Sequence, residues 1–576
     1  METLQIEDDE EWAQAEGVPA LSEPFIQKYM QGRDALVAQE KRQRSDHAFR
    51  QTLSPMAAEA CSIVAQIRFQ EQQTVWTSDL EDSLAEEGDV FPGMMFTMAK
   101  ERMEKTKLWQ IVRKMPKGAL LHCHLEAMVD LEWLVEEALR TDGLHVSCAQ
   151  SFATPEARQS CNFRFQYLKS SQVEIVLPWS ESYTADHLVP LQQAADSFPD
   201  GGRAGFISWL KARLTITHSE SVSHHLGPND VWRKFTSIFE ILGSLVYYEP
   251  IFRAFIRRMF QQLLDDGVNY VELRAAFCFR YYKAGSETPE EGYEACLGVL
   301  DEEIEAFKTT EAGKEFWGAR MIWTTLRSFG TRQIIESMKQ CIDMKFAYPD
   351  LIAGFDLVGQ EDLGRPLADL TPELFWFKKQ CAQEGIDIPF FFHAGETLGD
   401  GDEADENLFD AVLLGTRRLG HAFSLYKHPL LCDMVKEKRI LVESCPISNE
   451  VLRLTGSIMS HPLPALLARG VPVALCNDDP AILGQGRNGM THDFWQALQG
   501  WENLGLEGLA HLAENSIRWA AFDDYAQKEW LHEIKMGHVG KGIKARRMQE
   551  WAKQWETFCQ WIVLEFGVDQ DLDPEE

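Results

Sequence analysis

From Lys117 onward, short apolar runs alternate with amphipathic stretches. Eight such runs are present. They are GALLHCH (118–124), VNYVELRA (268–275), ARMIWTTL (319–326) and IAGFDLVG (352–359), then PFFFHAGE (389–396), RLGHAF (418–423), ILVESCP (440–446) and VPVALCNDD (471–479). Near-continuous apolar strands separated by amphipathic helices predict βα units on a parallel sheet, since such strands are covered on both faces. Eight units predict a closed (β/α)8 barrel. The alternative is a doubly wound sheet, weakened because no GxGxxG follows the first run. The expected fold class is therefore α/β: a TIM-type barrel with a helical N-terminal extension and an insertion after strand one.

Before Lys117 the pattern is helical. Phe25, Tyr29 and Leu36 recur at helical intervals, as do Ile63, Ile67 and Phe69, then Met94 to Met103, Trp109 and Val112. Residues 1–115 read as the extension. Residues 116–140 and 229–576 read as the barrel with C-terminal helices, including the Trp-rich segment Trp530 to Trp561 and a polar tail, DQDLDPEE. Between the first two runs lie roughly 140 residues, far more than one crossover helix needs. With Gly201-Gly202, several prolines and mixed patterns, residues 141–228 read as an inserted subdomain.

Composition narrows the function. Apolar residues make up 45% and charged residues 25% of the 576, which excludes disorder and fibres. Lys and Arg number 56 against 89 Asp and Glu, a formal net charge of −33. Such a surface repels phosphate backbones and anionic lipid, so no nucleic-acid or membrane partner is expected, whereas a small neutral substrate is unaffected. No run reaches the roughly 18 apolar residues needed to span a bilayer. The start, METLQIEDDEEW, lacks the basic and apolar regions of a secretory signal, and a cytoplasmic location is expected. The 12 cysteines include no CxxC pair, so neither a zinc ribbon nor a disulfide scaffold is written here.

Polar residues gather at the carboxyl ends of these otherwise apolar runs, where barrels place their chemistry. Run one ends His122-Cys123-His124, and alternate strand residues share a face. Run five ends His393-Ala394-Gly395-Glu396, run six carries Gly420-His421, and run eight ends Asn477-Asp478-Asp479-Pro480. Each has a plainer reading alone: two core histidines, a strand-to-helix turn, a helix N-cap. Together, His122, His124, His393 and Asp478 suit one Zn²⁺ per chain, three imidazoles and a hard oxygen. Binuclear amidohydrolases bridge two metals with a carboxylated lysine on strand four, but IAGFDLVGQ holds no lysine, so a single metal is expected.

HxH on run one, HAGE on five, GHAF on six, SCPISN on seven and NDDP on eight resemble the adenosine deaminase superfamily in order and placement. The flanking MPKGALLH, AGFDLVGQED, FFFHAGE and CPISNEVL most resemble its growth-factor-type subfamily. That resemblance implies a zinc-dependent deaminase converting adenosine and deoxyadenosine to inosine and deoxyinosine with release of ammonia. It implies that His421 orients and deprotonates the attacking water, that Glu396 protonates purine N1, that Asp479 hydrogen-bonds N7, and that the Gly359 backbone contacts N3. It also implies a homodimer through the N-terminal helices, and matches Trp232 to an aromatic residue that packs on substrate.

Three departures follow. No leader is read, although the subfamily is often secreted. Leu125-Glu126 replaces the subfamily's sugar-binding Asp, which passes that role to Glu126. Leu326 stands where the subfamily has a ribose-contacting His, and Arg327 beside it reads either as a cation for a 5′-phosphate or, more commonly, as an exposed arginine at a helix start. An AMP or N6-substituted adenosine deaminase, or a non-catalytic receptor-binding relative, are the alternatives.

Overall fold

The structure is a computed structural model and describes residues 12–77, 90–160, 162–169 and 175–567. The acidic start before Trp12 and the polar tail lie outside the described residues.

All eight apolar runs form parallel strands. The first, β1, spans Gly118–His124. After β2 (Leu144–Cys148), β3 (Phe163–Tyr167) and β4 (Val189–Pro190) come β5 (Val268–Ala276), β6 (Gly318–Leu326) and β7 (Ile352–Val358). The last four are β8 (Phe391–Ala394), β9 (Arg418–His421), β10 (Leu441–Ser444) and β11 (Val473–Leu475). Two four-stranded parallel sheets result, ordered β1-β5-β6-β7 and β11-β10-β9-β8. They meet at two seams through isolated parallel bridges, Phe355 to Phe390 and Cys123 to Asp478. At the second seam His124 N donates to Asp478 O at 3.0 Å and Asp478 N donates to His122 O at 3.2 Å. That seam carries the last acidic pair to the end of β1.

The later strands are shorter than the apolar runs predict. Glu396 and Asp478 fall beyond β8 and β11, on turns rather than strand ends. The backbone explains why: Gly395 has φ +81° and Asp478 φ +57°, both in the left-handed region, which ends a strand. His421 and Ala422 do the same at the end of β9, with φ of +59° and +46°. Non-glycine residues held there cost on the order of 1–3 kcal/mol each, a strain typical of functional turns.

The stretch between β1 and β5 builds a small antiparallel sheet, ordered β3-β2-β4, and several helices. The helix Pro228–Val246 then returns toward the parallel strands. Proline opens it, where a missing N–H costs nothing. Val231, Phe235, Ile238, Ile241, Leu242 and Leu245 recur at three- and four-residue steps and are buried.

Helices Pro55–Thr74 and Ile543–Phe566 pack on each other, so the two ends of the chain share one core. Ile63 and Ile67 are buried there, whereas Phe69 is on the opposite face and 64% exposed. The helix Pro24–Lys41 differs: it buries no residue, and Phe25, Tyr29 and Leu36 are exposed. Among the described residues no helix is long and apolar enough to cross a membrane.

Candidate active site

At the carboxyl end of the parallel strands, one ligand atom each from His122, His124, His393 and Asp478 lies within 4.8 Å of the others. The four come from β1, from β8 and from the turn after β11. Alternation along β1 turns both of its imidazoles to the same side, as predicted, with the rings 5.5 Å apart. The His122 and His393 rings meet edge to face at 4.4 Å.

Each of these two rings is held by a buried carboxylate on its inner nitrogen. His122 Nδ1 is 2.8 Å from Glu443 Oε2, and His393 Nδ1 is 2.6 Å from Asp356 Oδ2. Asp356 also accepts from His393 N at 2.9 Å. Such contacts fix the tautomer and present Nε2 outward, as metal-ligating histidines require. His122 Nε2 and Asp478 Oδ1 are buried and face each other at 3.4 Å without a well-formed hydrogen bond, an arrangement that costs free energy unless something else satisfies them. Burial lowers the His393 imidazole to about 3 and so keeps it neutral. Burial pushes the Asp356 carboxyl up, but His393 and Arg274 beside it hold it below its usual range. The donor set is therefore one that fits a divalent ion: three imidazoles, a carboxylate and unsatisfied buried donors of both kinds.

His124 Nδ1 lies 3.1 Å from both Asp478 Oδ1 and Asp479 Oδ1. Burial lowers its pKa, yet the two aspartates raise it well above 6.5. The cluster's negative charge draws a proton that a bound cation would release. Ser448 Oγ donates to Asp478 Oδ2 at 2.7 Å and fixes the other side of that carboxylate.

His421 and Glu396 stand beside the four. His421 Nε2 is 3.9 Å from Asp478 Oδ2, and its Nδ1 is 3.6 Å from Glu396 Oε1. Burial holds the His421 imidazole well below its usual range, which leaves the ring neutral. His421 also belongs to a second grouping with His122, Cys445 and Asp478, which shares two members with the first. Burial raises the Glu396 carboxyl well above 4.5, and Asp478, Glu361 and Asp479 push it further. Its turn is cradled by Glu361, which accepts from Gly395 N at 3.1 Å and Glu396 N at 2.8 Å. Burial and then Asp478 push the Asp479 carboxyl up to about 7.

Above these groups opens a chamber of about 910 Å³. Every predicted site residue except His122 lines it; His122 lies beneath, fully buried. Gly359, with φ +102°, lines it through a backbone turn that only glycine adopts freely. Glu126 faces it while its Oε1 accepts from Tyr247 Oη at 2.6 Å. Trp232 lies on the wall, but Phe239 is the aromatic ring nearest the histidines, 6.0 Å from His124 and edge-on. Phe235 stands between them, 4.9 Å from Trp232 and 5.2 Å from Phe239.

Leu326 lines the chamber and Arg327 does not. The expectation that Arg327 offers a cation to a phosphate is overturned: its guanidinium is fully buried and donates to Leu357 O at 3.1 Å and His393 O at 3.0 Å. Sequence reasoning also passed over Asp356, Glu443, Glu361 and Ser448. The signal was there for the first two, single charges in the otherwise apolar runs IAGFDLVG and ILVESCP.

The sequence profile described as adenosine deaminase matches residues 213–536, more than half of the chain. Adenosine deaminase 2 from Homo sapiens is 33% identical over 469 residues, covering 81% of this chain and 83% of its own. The chain belongs to the adenosine deaminase family. An adenosine deaminase from Lutzomyia longipalpis is 30% identical over 484 residues, covering 84% of this chain and 85% of its own. The solved adenine deaminase from Arthrobacter aurescens is similar at a TM-score of 0.48 and 17% identity, over 76% of this chain and 99% of that one. Family membership extends over β5 to β11 and the helices between them, so it takes in the elements that carry His393, Glu396, His421 and Asp478.

Proposed function

We propose that this family member is a zinc-dependent hydrolase that deaminates adenosine and deoxyadenosine to inosine and deoxyinosine with release of ammonia. The observation that carries the reading is the convergence of His122, His124, His393 and Asp478 beside the buried carboxyl of Glu396. Zinc, when bound, supplies the Lewis acidity that brings the ionisation of water close to neutral pH. Purine C6 becomes electrophilic when N1 takes a proton. Glu396 is placed to give that proton, because burial and the carboxylates of Asp478, Glu361 and Asp479 hold its carboxyl well above the usual range. His421 takes the proton of the attacking water, which the neutral imidazole can accept. Asp479, whose carboxyl also holds a proton near neutrality, donates to N7, an acceptor. The Gly359 backbone meets N3, Glu126 accepts from a sugar hydroxyl, and Trp232 with Phe239 walls the purine.

A neutral nucleoside is favoured over a nucleotide. Three carboxylates, Glu126, Glu240 and Glu287, line the chamber against two guanidinium groups, Arg280 and Arg164, the latter paired with Asp186 at 3.1 Å, while Arg327 faces away. We read the two parallel sheets as one closed (β/α)8 barrel, supported by the bridges at both seams. We read the exposed helix Pro24–Lys41 as the contact of a homodimer, which sedimentation of the full chain against one starting after Arg42 would test. The central test is a panel of adenosine, deoxyadenosine, AMP, adenine and N6-methyladenosine, followed by ultraviolet absorbance and ammonia release with metal content measured alongside. Turnover of the two nucleosides by zinc-loaded protein is expected, and turnover of none would overturn the reading.

A further inference from the structure

The two carboxylates that hold His122 and His393 share one partner. Arg274, on β5, is fully buried beneath the cluster. Its Nε donates to Asp356 Oδ2 at 2.9 Å and its Nη2 donates to Glu443 Oε2 at 2.8 Å. These are the same two oxygens that face Nδ1 of His393 and of His122. The rest of the guanidinium reaches backbone: Nη1 donates to Leu121 O at 2.8 Å, and Nη2 to Phe391 O at 3.3 Å. Those carbonyls lie one residue before His122 and two before His393.

We propose that Arg274 is a positioning residue of the metal centre, its guanidinium fixing the separation and tilt of two ligand imidazoles by bridging the carboxylates that orient them. The inference rests on the reading of this cluster as a zinc site.

The chemistry of the fork suits this task. A guanidinium is planar, stays charged, and presents its donors at fixed angles, whereas an ammonium is a compact point charge on a flexible stem. Both imidazoles are therefore referenced to one rigid plane. The charge balance fits as well. Glu443 is shared with Arg418, whose Nε donates to Oε1 and whose Nη2 donates to Glu272 at 2.5 Å. Glu272, Asp356 and Glu443 thus meet Arg274 and Arg418 in one buried layer, with both orienting carboxylates held by guanidinium groups. A structural ion pair alone would need only one of the two carboxylates. Here the guanidinium meets both, at the very oxygens the imidazoles use.

The test uses the full-length zinc-loaded protein and its variants Arg274→Lys and Arg274→Gln, each alone and with Asp356→Asn. Zinc release to a chromophoric chelator, kcat and KM for adenosine, and Tm are measured together. Arg274→Lys is expected to release zinc about 10–100-fold faster than the parent, the range found when orienting contacts of metal ligands are removed. Its kcat falls, KM stays within about threefold, and added zinc restores part of the turnover. Combined with Asp356→Asn, the acceleration is smaller than the product of the two single effects, because both act on one bridge. Zinc release within twofold of the parent by folded Arg274→Lys would overturn the proposal. So would a fall in Tm with unchanged release, multiplicative single effects, or failure of both Arg274 variants to fold, since a positioning role leaves the fold standing. If the parent itself holds no zinc, the proposed function falls together with this inference; if the parent holds it and the variants hold it equally, only this inference falls.

Discussion

Replacing Glu396 with Gln separates proton donation from metal binding. The residue is 7% exposed, its Oε1 has no hydrogen-bond partner, and burial with three neighbouring carboxylates pushes its carboxyl well above the usual range. Glutamine preserves the shape and can still donate a hydrogen bond, but it cannot release a proton to N1. General acid catalysis contributes typically 10²–10⁴-fold, and at about 1.4 kcal/mol per factor of ten this is about 3–5 kcal/mol of the barrier. Glu396 is not among the four grouped ligands, so zinc stoichiometry is expected to stay that of the parent. The backbone cradle from Glu361 uses the N–H groups of residues 395 and 396 and is untouched by the change. The assay is the fall in ultraviolet absorbance as adenosine is consumed, with metal content measured on the same samples. A kcat within about fivefold of the parent would refute the donor assignment. Loss of zinc along with turnover would show instead that Glu396 acts on the cluster.

Three other outcomes are expected. Gly420→Ala places a Cβ 2.8 Å from His122 Cε1 and 3.3 Å from His393 Cα, so it should displace His122 and lower zinc retention and turnover at least about tenfold; parent-like zinc retention would count against the proposed ligand set. Leu326→His puts a polar ring on the chamber wall and should change the ranking of adenosine, deoxyadenosine and AMP; an unaltered ranking would show that this position does not meet the sugar. Burial raises the Glu450 carboxyl to about 7 from 4.5, so the unfolded chain gives up this proton first. Its contribution to stability is full below about pH 4.5 and is lost as pH rises through about 7, a difference of about 3 kcal/mol. In Glu450→Gln that loss is absent, so the Tm difference from the parent should vary with pH across this window; a constant difference would refute the assignment.

The strands were legible because a strand covered on both faces must be apolar throughout, and eight such runs stand out from the helices between them. The candidate ligands were legible for the same reason in reverse, since His122, His124 and His393 are polar groups where the runs should be apolar. What escaped notice depends on contacts across the fold. Asp356 and Glu443 were visible as charges, but only pairing across strands shows that each serves an imidazole. The direction of Arg327 could not be read from its place beside Leu326: it lies in the turn after β6 and its buried guanidinium reaches the carbonyls of Leu357 and His393, away from the chamber. Phe239 was overshadowed by Trp232 because both recur on one helix, and only the packing of Pro228–Val246 decides which ring comes nearest the histidines.

The salt links beneath the cluster run from one four-stranded sheet to the other: Arg274 to Glu443, Arg418 to Glu272, and His393 to Asp356. Parting the two sheets between Val358 and Pro389 would keep Arg274 with Asp356 and Arg418 with Glu443, but would strip Glu272 of its guanidinium, and a buried charge without its partner costs several kcal/mol. The floor beneath the cluster is thus a joint product of both sheets, complete only where they meet.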